Sequence, residues 1–347
     1  MFGNWYFFLS VSLLGLLPLT ARAQGNHAPH FGTFTFYTEN DAFARTDSNY
    51  TGGAKFTLTR RLFRDEQDDA LHSQWYYPLI SHLPFVKKPE FQLARSLSLG
   101  LTIFTPEDLR RRDLIQDDRP YAGFLYFAIG FHARSSDRTH ALEIDTGIVG
   151  PHSYAEQVQK GVHRLIGSTR PRGWDNQLED EFALEVIYET KWKLLHSDVG
   201  NGFAYDLIPH LGGRIGNVHI YANGGAEFRF GWYLPNDFGT CPIRPGCESH
   251  HTFDRLDNDV SQAGRFGVHT FIALDGRAVA RDIFLDGNTF RDSHEVDKKF
   301  FVADIMAGIG LTSGRFKLTY AYVYRTKEFK KQDNDQRFAS LTLAYAF

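Results

Sequence analysis

The sequence predicts an all-β membrane protein, a transmembrane antiparallel barrel of about 12 strands. The chain contains 31 Phe, 16 Tyr and 31 Gly among 347 residues, a composition typical of many short strands joined by turns. Segments of about ten residues alternate in polarity, as the strands of outer-membrane barrels do. Beyond the N-terminus no run of about 18 apolar residues could form a spanning helix. The net charge of −3 gives no footprint for nucleic acid.

The N-terminus has the features of an export signal. An apolar run, Trp5–Leu19, precedes the small-x-small motif "ARA". These features predict a signal peptide over residues 1–23 and a single barrel domain over residues 24–347, with a short N-terminal anchor as the alternative. Cys241 and Cys247 flank a Pro/Gly turn, which predicts a small-loop disulfide in an oxidising compartment, with two unpaired thiols as the alternative.

The alternating segments predict twelve strands, an even number as single-chain bacterial barrels require. In chain order they are Phe31–Asn40, Gly52–Leu62, Arg95–Pro106, Tyr121–Ala133, His140–Gly150, Phe182–Lys193, Phe203–Gly216, Val218–Gly231, Gly264–Ala280, Phe300–Thr312, Gly314–Thr326 and Arg337–Phe347. The links "RIGNVHI" and "LTSGRFKL" are typical of tight turns, whereas the connections over 60–95 and 237–264 are long and polar. We therefore expect tight turns at one rim and long loops at the other.

The last strand has an apolar face that ends on Phe347. A closing strand with a final Phe is similar to the signal by which the outer-membrane barrel assembly machinery receives its substrates. This ending favours a location in the outer membrane of a Gram-negative cell, with a soluble all-β protein as the alternative.

One helix interrupts the strands, predicted over about residues 153–166 in a loop on the extracellular side. Pro151 ends the fifth strand, Ser153 and Glu156 form an S-x-x-E capping box, and Gly167 suits the C-terminal cap. At about 14 residues this helix is too short to cross a bilayer.

The predicted helix has two different stripes. At 100° per residue Val158, Val162 and Leu165 form an apolar stripe, and Glu156, Gln159 and His163 form a polar stripe roughly a third of a turn away. We expect the apolar stripe to pack on the barrel and the polar stripe to face a groove. The alternative is a solvated polar face without function.

Further polar groups are expected at the same rim as the helix. "TENDAF" places Asn40 and Asp41 at the end of the first strand, and "SNYTGG" places Thr51 at the start of the second. If these strands form a hairpin, the three residues share one rim. The fourth strand begins at that rim with "DDRPYAG", and the fifth ends there, just before the helix. No G-x-S-x-G motif occurs, which argues against a serine hydrolase of the α/β type.

The motifs "END", "YTGG", "DDRPYAG", "GPHSYAEQVQKGVHRLIG" and "GWDNQLEDE", in this order, resemble the outer-membrane lipid A 3′-O-deacylase (LpxR-like) family of twelve-stranded barrels. The resemblance implies calcium-dependent hydrolysis of the ester that holds the 3′-linked acyloxyacyl group of lipid A in lipopolysaccharide. It implies a site between the barrel wall and the helix. It also places Asn40, Asp41, Thr51, Gln159 and His163 on the family's functional positions.

The residue types suit this chemistry. An imidazole such as that of His163 can accept a proton from water near neutral pH. Asp41 offers the hard oxygen ligand that calcium prefers, and a bound cation can polarise an ester carbonyl. Asn40, Thr51 and Gln159 can orient these groups or donate hydrogen bonds to an oxyanion.

The sequence departs from the family pattern after the histidine. Where an acidic residue and a Tyr are expected, "GSTRPRG" offers Thr169 and Pro171. Further calcium ligands are then expected among main-chain carbonyls and the carboxylates of Asp175, Glu179 and Glu39. A lipid A phosphate is expected to meet one of Arg110, Arg111 and Arg112. The alternative functions are an outer-membrane phospholipase or esterase, and a non-enzymatic porin or scaffold.

Overall fold

The computed structural model describes residues 32–41, 49–62, 77–83, 85–240 and 266–347, and of residues 49–51 and 79 it describes the main chain only. The predicted signal peptide and both cysteines lie outside the described residues, and these two inferences stay predictions. None of the helices in the described ranges is both long enough and apolar enough to cross a membrane.

The described residues form thirteen strand segments in one antiparallel sheet. They are β1 Gly32–Asn40, β2 Asn49–Leu62, β3 Gln92–Thr105, β4 Ala122–Arg134, β5 Arg138–Val149, β6 Glu181–Trp192, β7 Leu195–Gly200, β8 Phe203–Gly216, β9 His219–Trp232, β10 Phe266–Asp282, β11 Phe301–Ser313, β12 Phe316–Arg325 and β13 Gln336–Ala346. The helices are α1 Tyr77–Ile80, α2 Ala155–Ile166 and α3 Ile283–Asp286, with 3₁₀ turns at Pro151–Ser153 and Trp174–Asn176.

The sheet closes on itself with twelve strand positions. It runs from β1 through β6 in one direction and from β13 back to β8 in the other, and β6 pairs with β8. β6 and β7 share one position because they pair with successive parts of β8. The predicted twelve-stranded barrel is confirmed, and the short β7 was not predicted. Closure pairs β1 to β6 and β8 to β13 on both sides, which avoids the cost of unpaired backbone groups in lipid, and β7 pairs only with β8.

Side chains alternate between lipid and lumen, as the period of two requires. Phe34, Phe56 and Leu99 point outward and are exposed on the wall. On the inner side, Lys55 Nζ lies 3.3 Å from Glu143 Oε1. The aromatic alternation that predicted the barrel therefore forms its outer face, and the intervening polar residues fill its interior.

Segments from both rims enter the lumen. We call the rim at which β1 ends the upper rim. The opposite rim, where β1 begins and β13 ends, is the lower rim. From the upper rim α3 inserts Phe284, whose ring stacks on Phe104 with centroids 3.9 Å apart. From the lower rim the residues after β9 insert Asp237, which bonds Arg229 and Lys317.

A buried ion pair joins two upper loops across the mouth of the barrel. Arg119 Nη2 donates to Glu328 Oε2 at 2.6 Å, and the guanidinium lies 5.7 and 5.5 Å from the ring centres of Phe104 and Phe329. Burial alone would raise the pKa of the Glu328 carboxyl, but the charges of Arg119 and Arg325 outweigh it and hold that pKa below its ordinary value. The loops are thus fixed over the lumen.

The expected division into a short-turn rim and a long-loop rim is wrong. The long connections after β2 and β9 begin and end at the lower rim, where the tight turn between β11 and β12 also lies, and the tight turn between β8 and β9 lies on the upper rim. The rim at which a connection lies depends on the number of strand positions before it in the chain, and the length of the connection does not predict the rim. Part of the first long connection has its own apolar cluster, in which Phe85 and Phe91 pack against Phe131.

The seam between the first and last strands predicts a requirement for the C-terminal residue. Gly32 and Phe347 exchange two main-chain hydrogen bonds of 2.9 Å, and the Phe347 ring covers Gly32. Deletion of the last four residues, or Phe347→Asp, is expected to lower the yield of inserted barrel severalfold. Heat-modifiable migration of the membrane fraction measures that yield. Phe290→Asp, at a loop residue that is 76% exposed, is the control, and equal yields for both substitutions would contradict the role of the seam.

Candidate functional site on the outer wall

Four residues form one row across the outer face of the wall at the upper rim. Asn40 pairs with Gly52, Gly52 with Ile103, and Ile103 with Gly123. Their sequence neighbours Glu39 and Phe124 line the interior cavity. Because successive side chains of a strand point to opposite faces, the row faces away from the lumen. It includes the predicted site residue Asn40.

α2 lies against this row from outside the barrel. A Cβ atom on Gly123 would meet Ala155 Cβ at 2.1 Å and Ser153 Oγ at 2.3 Å, so the helix start touches the main chain of β4. Ala155 also packs in a buried cluster with Ile103 and Trp174. The helix thus begins over β4 and contacts β3.

One side of α2 is buried against the wall. Ala155, Gln159 and His163 are 1%, 2% and 5% exposed, and we call them the wall side. The first and last of them are eight positions apart, or about 12 Å along the helix, whereas neighbouring strands lie about 4.8 Å apart. A helix that begins over β4 and crosses β3 therefore brings His163 toward the ends of β2 and β1, where Gly52 and Asn40 lie.

A tryptophan fixes the orientation of the Gln159 amide. Trp174 Nε1 donates to Gln159 Oε1 at 2.8 Å. Since an indole nitrogen can only donate, the amide oxygen must face Trp174 and the NH₂ group must point the other way. Gln159 Nε2 is buried and has no hydrogen-bond partner among the described residues. The buried amide thus presents a donor on the wall side of the helix.

The loop after α2 fixes the tautomer of His163. His163 Nδ1 lies 2.5 Å from the carbonyl oxygen of Thr169. A carbonyl only accepts, so Nδ1 carries the proton and Nε2 carries the lone pair. Gly167 ends the helix at φ 71°, in the left-handed conformation that turns the chain back toward His163. The predicted C-terminal cap is confirmed, and its function is to bring Thr169 to the imidazole.

The remaining predicted residues lie at the ends of β1 and β2. Asn40 is half-buried, and its Nδ2 lies 3.4 Å from the point where a Cβ of Gly52 would stand. The carboxylate of Asp41 is buried. Thr51 is the extra residue of a bulge between Tyr50 and Gly52, and its side chain is outside the described residues. Asn40 and Asp41 thus lie at the upper rim, on the side toward which α2 runs from β4 across β3.

The described residues do not by themselves complete a calcium site. Among them no group of three His, Cys, Asp or Glu side chains could hold a metal ion. Of the carboxylates expected as further ligands, Glu39 lines the inner cavity, and Asp175 and Glu179 are exposed. Asp41, directly after β1, remains as a buried carboxylate at the upper rim. The other ligands of a calcium ion would have to be main-chain carbonyls, waters or groups of the segment 42–48, which is outside the described residues.

A family model described as the outer membrane protein LpxR matches residues 7–347. This chain belongs to the LpxR family. It is an outer-membrane β-barrel protein, as the sequence predicts. A comparison with curated proteins finds no match.

The solved structure of an LpxR protein supports the fold of this LpxR-family chain. LpxR from Salmonella typhimurium superposes with a TM-score of 0.68 at 17% identity, over 90% of this chain and 99% of that one. The β domain of the Bordetella autotransporter BrkA matches with a TM-score of 0.43 at 9% identity, over 92% and 98% of the two chains. The translocator domain of NalP from Neisseria meningitidis gives 0.37 at 9% identity, over 93% and 90%.

Two predictions about the helix of this LpxR-family chain are wrong. The helix begins at Ala155, and no capping box forms because Tyr154, at φ 58°, occupies the N-cap position while Ser153 Oγ donates to the Gly150 carbonyl. The polar stripe, and not the apolar stripe, packs on the barrel: Val158 is exposed, whereas Gln159 is buried. The outer surface of a membrane protein can carry apolar side chains without covering them with protein.

Sequence reasoning missed the contribution of Trp174. The motif "GWDNQLEDE" was singled out, but nothing in it indicates that the indole would bond Gln159. The adjoining turn is held by the preceding loop, since Arg172 N donates to Leu109 O at 2.9 Å and Asn176 Nδ2 to Arg112 O at 2.6 Å. Arg110, Arg111 and Arg112 are exposed beside it.

The contact between Gly123 and Ala155 predicts how the helix can be detached. Gly123→Ala is expected to lift α2 from the wall, because the new Cβ would overlap Ala155. Trypsin should then cleave after Lys160 and Arg164 several times faster, while the barrel keeps its heat-modifiable migration. Gly276→Ala in β10 is the matched control, since its Cβ would meet its nearest neighbour only at 3.8 Å. Equal cleavage rates in both variants would exclude this packing.

Proposed function

We propose that this protein is a lipid A 3′-O-deacylase, which hydrolyses the ester of the 3′-acyloxyacyl group of lipopolysaccharide. The observation that carries the proposal is the pair of side chains on the wall side of α2. His163 has its lone pair on Nε2, and Gln159 presents a buried NH₂ group without a partner among the described residues. A base and an oxyanion donor on one helix side are the minimum that ester hydrolysis needs.

The position of the site on the barrel also favours a lipid substrate. The row that carries Asn40 faces away from the lumen, on the same side of the wall as the exposed Phe34 and Leu99. Membrane lipids contact that side. A pore function is disfavoured because Phe284 from the upper rim and Asp237 from the lower rim fill the lumen.

The proposed reaction begins with a water molecule beside His163. Nε2 takes a proton from the water, and the hydroxide adds to the carbonyl carbon of the ester. Gln159 Nε2 donates a hydrogen bond to the oxyanion that forms, and Asn40 can supply a second donor. Collapse of this intermediate breaks the bond to the 3′ oxygen of the sugar, which receives the proton from His163. The products are the free acyloxyacyl acid and a lipid A with a 3′ hydroxyl group.

Calcium dependence is part of the proposal. Asp41 would provide a carboxylate ligand, together with carbonyls, waters or the segment 42–48. Calcium takes six to eight oxygen ligands, so one carboxylate is a small share of the shell. A bound ion would polarise the ester carbonyl as a Lewis acid.

Exposed arginines around the site suit an anionic lipid. Arg110, Arg111 and Arg112 lie on the loop that holds Trp174, and Arg164 and Arg170 are exposed on and after α2. Guanidinium groups bind phosphate through paired donors. We propose that this group of arginines holds the phosphorylated sugar of lipid A while the water activated by His163 attacks the ester.

Replacement of the proposed base tests the function. Lipid A from cells with the parental chain is expected to lose the mass of the 3′-acyloxyacyl group. His163→Asn should reduce turnover about 10²- to 10⁴-fold, the usual contribution of a general base. Asn can still donate to Thr169 O but has no basic nitrogen. Mass spectrometry of lipid A measures the loss, and heat-modifiable migration verifies folding.

Two further variants and the lipid products complete this test. Gln159→Ala should retain more activity than His163→Asn, and Gln157→Ala, at an exposed position of the same helix, should retain parental activity. Parental turnover by folded His163→Asn would exclude the mechanism. Lysophospholipid in place of 3′-deacylated lipid A would indicate a phospholipase, and unchanged lipids would indicate a barrel that is not an enzyme.

Calcium removal tests the metal. Excess chelator is expected to abolish deacylation, and added calcium should restore it, while the barrel stays folded. Asp41→Asn should weaken calcium binding at least tenfold, because a neutral amide is a poorer ligand than a carboxylate. Isothermal titration with calcium measures this change independently of activity. Asp292→Asn, at an exposed loop carboxylate, is the control, and full activity in excess chelator would remove calcium from the mechanism.

A further inference from the structure

Beyond its wall side, α2 has two chemically different flanks. On one flank lie Tyr154 at the helix start, Val158, Val162 and Leu165, all within about 80° of one another at 100° per residue; we call these four residues the apolar flank. On the other flank Lys160 forms an ion pair with Glu156. The part of the helix surface that does not pack on the wall is therefore amphipathic, with an apolar flank and a charged flank.

The apolar flank is largely uncovered. Tyr154, Val158, Val162 and Leu165 are 57%, 43%, 37% and 72% exposed. A surface helix of a water-soluble protein would turn such a stripe toward its core. Here the core-facing position is taken by Gln159 and His163, so the apolar flank has to meet another partner.

The barrel surface beside the helix indicates the nature of that partner. α2 packs on the outward faces of β3 and β4 at Ile103 and Gly123. Further along the same outward faces lie Leu99 and Phe127, which are exposed where the wall of an outer-membrane barrel meets lipid. Ile103 and Leu99 are four residues apart, about 13 Å along the strand. The helix thus lies on the same outward faces that meet lipid further along the strands.

The charges around α2 indicate where the lipid headgroups lie. Lys160 and Arg164 lie on the helix away from the apolar flank, and Arg170 and Arg172 follow it, the three arginines being exposed. An interfacial helix combines basic residues on its polar face with apolar residues that enter the boundary between headgroups and acyl chains by about 5–10 Å. Both features occur on this helix.

We propose that α2 is an interfacial membrane helix whose apolar flank contacts the acyl chains of the outer leaflet. The basic residues on and after the helix then lie at the level of the headgroups. This lipid contact does not depend on the proposed hydrolysis. The lipid contact also has a consequence for the substrate, and this consequence rests on the proposed function. The wall side of α2 is open sideways to the leaflet. An acyl ester could then reach His163 without leaving the membrane.

Site-specific photo-cross-linking in the native outer membrane tests the lipid contact. The photoreactive residue benzoylphenylalanine replaces Val162 or Leu165 in the full-length chain. Both positions are exposed, so the larger side chain overlaps no core residue. Irradiation is expected to give lipid adducts at yields close to those at Leu99, the lipid-facing reference, and at least severalfold above those at Arg164 on the charged flank. Mass spectrometry of the purified adducts identifies the lipid.

Two results would overturn the lipid contact. Yields at Val162 and Leu165 that do not exceed the yield at Arg164, while Leu99 reacts, would show that lipid does not reach the apolar flank. Adducts with protein at Val162 and Leu165 would assign the flank to a protein partner. Cross-linking requires no turnover and can be repeated in the His163→Asn variant. A failure of the proposed hydrolysis would therefore leave this result unchanged, and the reverse also holds.

Discussion

The candidate site depends on the close approach of α2 to the main chain of β4. Gly123 has no side chain, and Ala155 has only a methyl group, so the helix can lie directly on the wall. A side chain at Gly123 would push the two elements apart, because its Cβ would stand 2.1 Å from Ala155 Cβ, inside van der Waals contact. The buried positions of Gln159 and His163 follow from this contact, because both lie on the same side of the helix as Ala155. The contact at Gly123 places the helix, and the hydrogen bond from Trp174 fixes the orientation of the Gln159 amide.

The sequence predicted the barrel well because its signal is local. A period of two over ten residues is sufficient to identify a lipid-facing strand, and an even strand count with an apolar last strand predicted closure. The predicted hairpin of β1 and β2 correctly placed Asn40 and Asp41 at the upper rim, which also carries α2. β7 was missed because its pairing depends on a break at Lys193 and Leu194 that no alternation pattern reveals.

The orientation of α2 could not be read from its pattern. The helical period correctly placed Gln159 and His163 on one side, but the assumption that Val158 packs inward applies to proteins surrounded by water. In a membrane both the protein interior and the surrounding lipid tails are apolar, so an apolar stripe does not identify the buried side of a helix. The capping box failed for a separate reason, since the left-handed Tyr154 separates Ser153 from the first turn. The bond from Trp174 to Gln159 joins a 3₁₀ turn to α2 and has no sequence signature.

The segment inserted from the lower rim has a consequence for the order of assembly. Asp237 is bonded to Arg229, which precedes it by 8 residues, and to Lys317, which follows it by 80. Arg229 on β9 also bonds Asp206 on β8 at 2.8 Å, so the neighbours that precede Asp237 in the chain can hold it first. Lys317 reaches it only when β12 has joined the sheet. If the strands join in chain order, the pairing of β13 with β1 encloses a charge network that is already complete, and no buried ion has to pass through a finished wall.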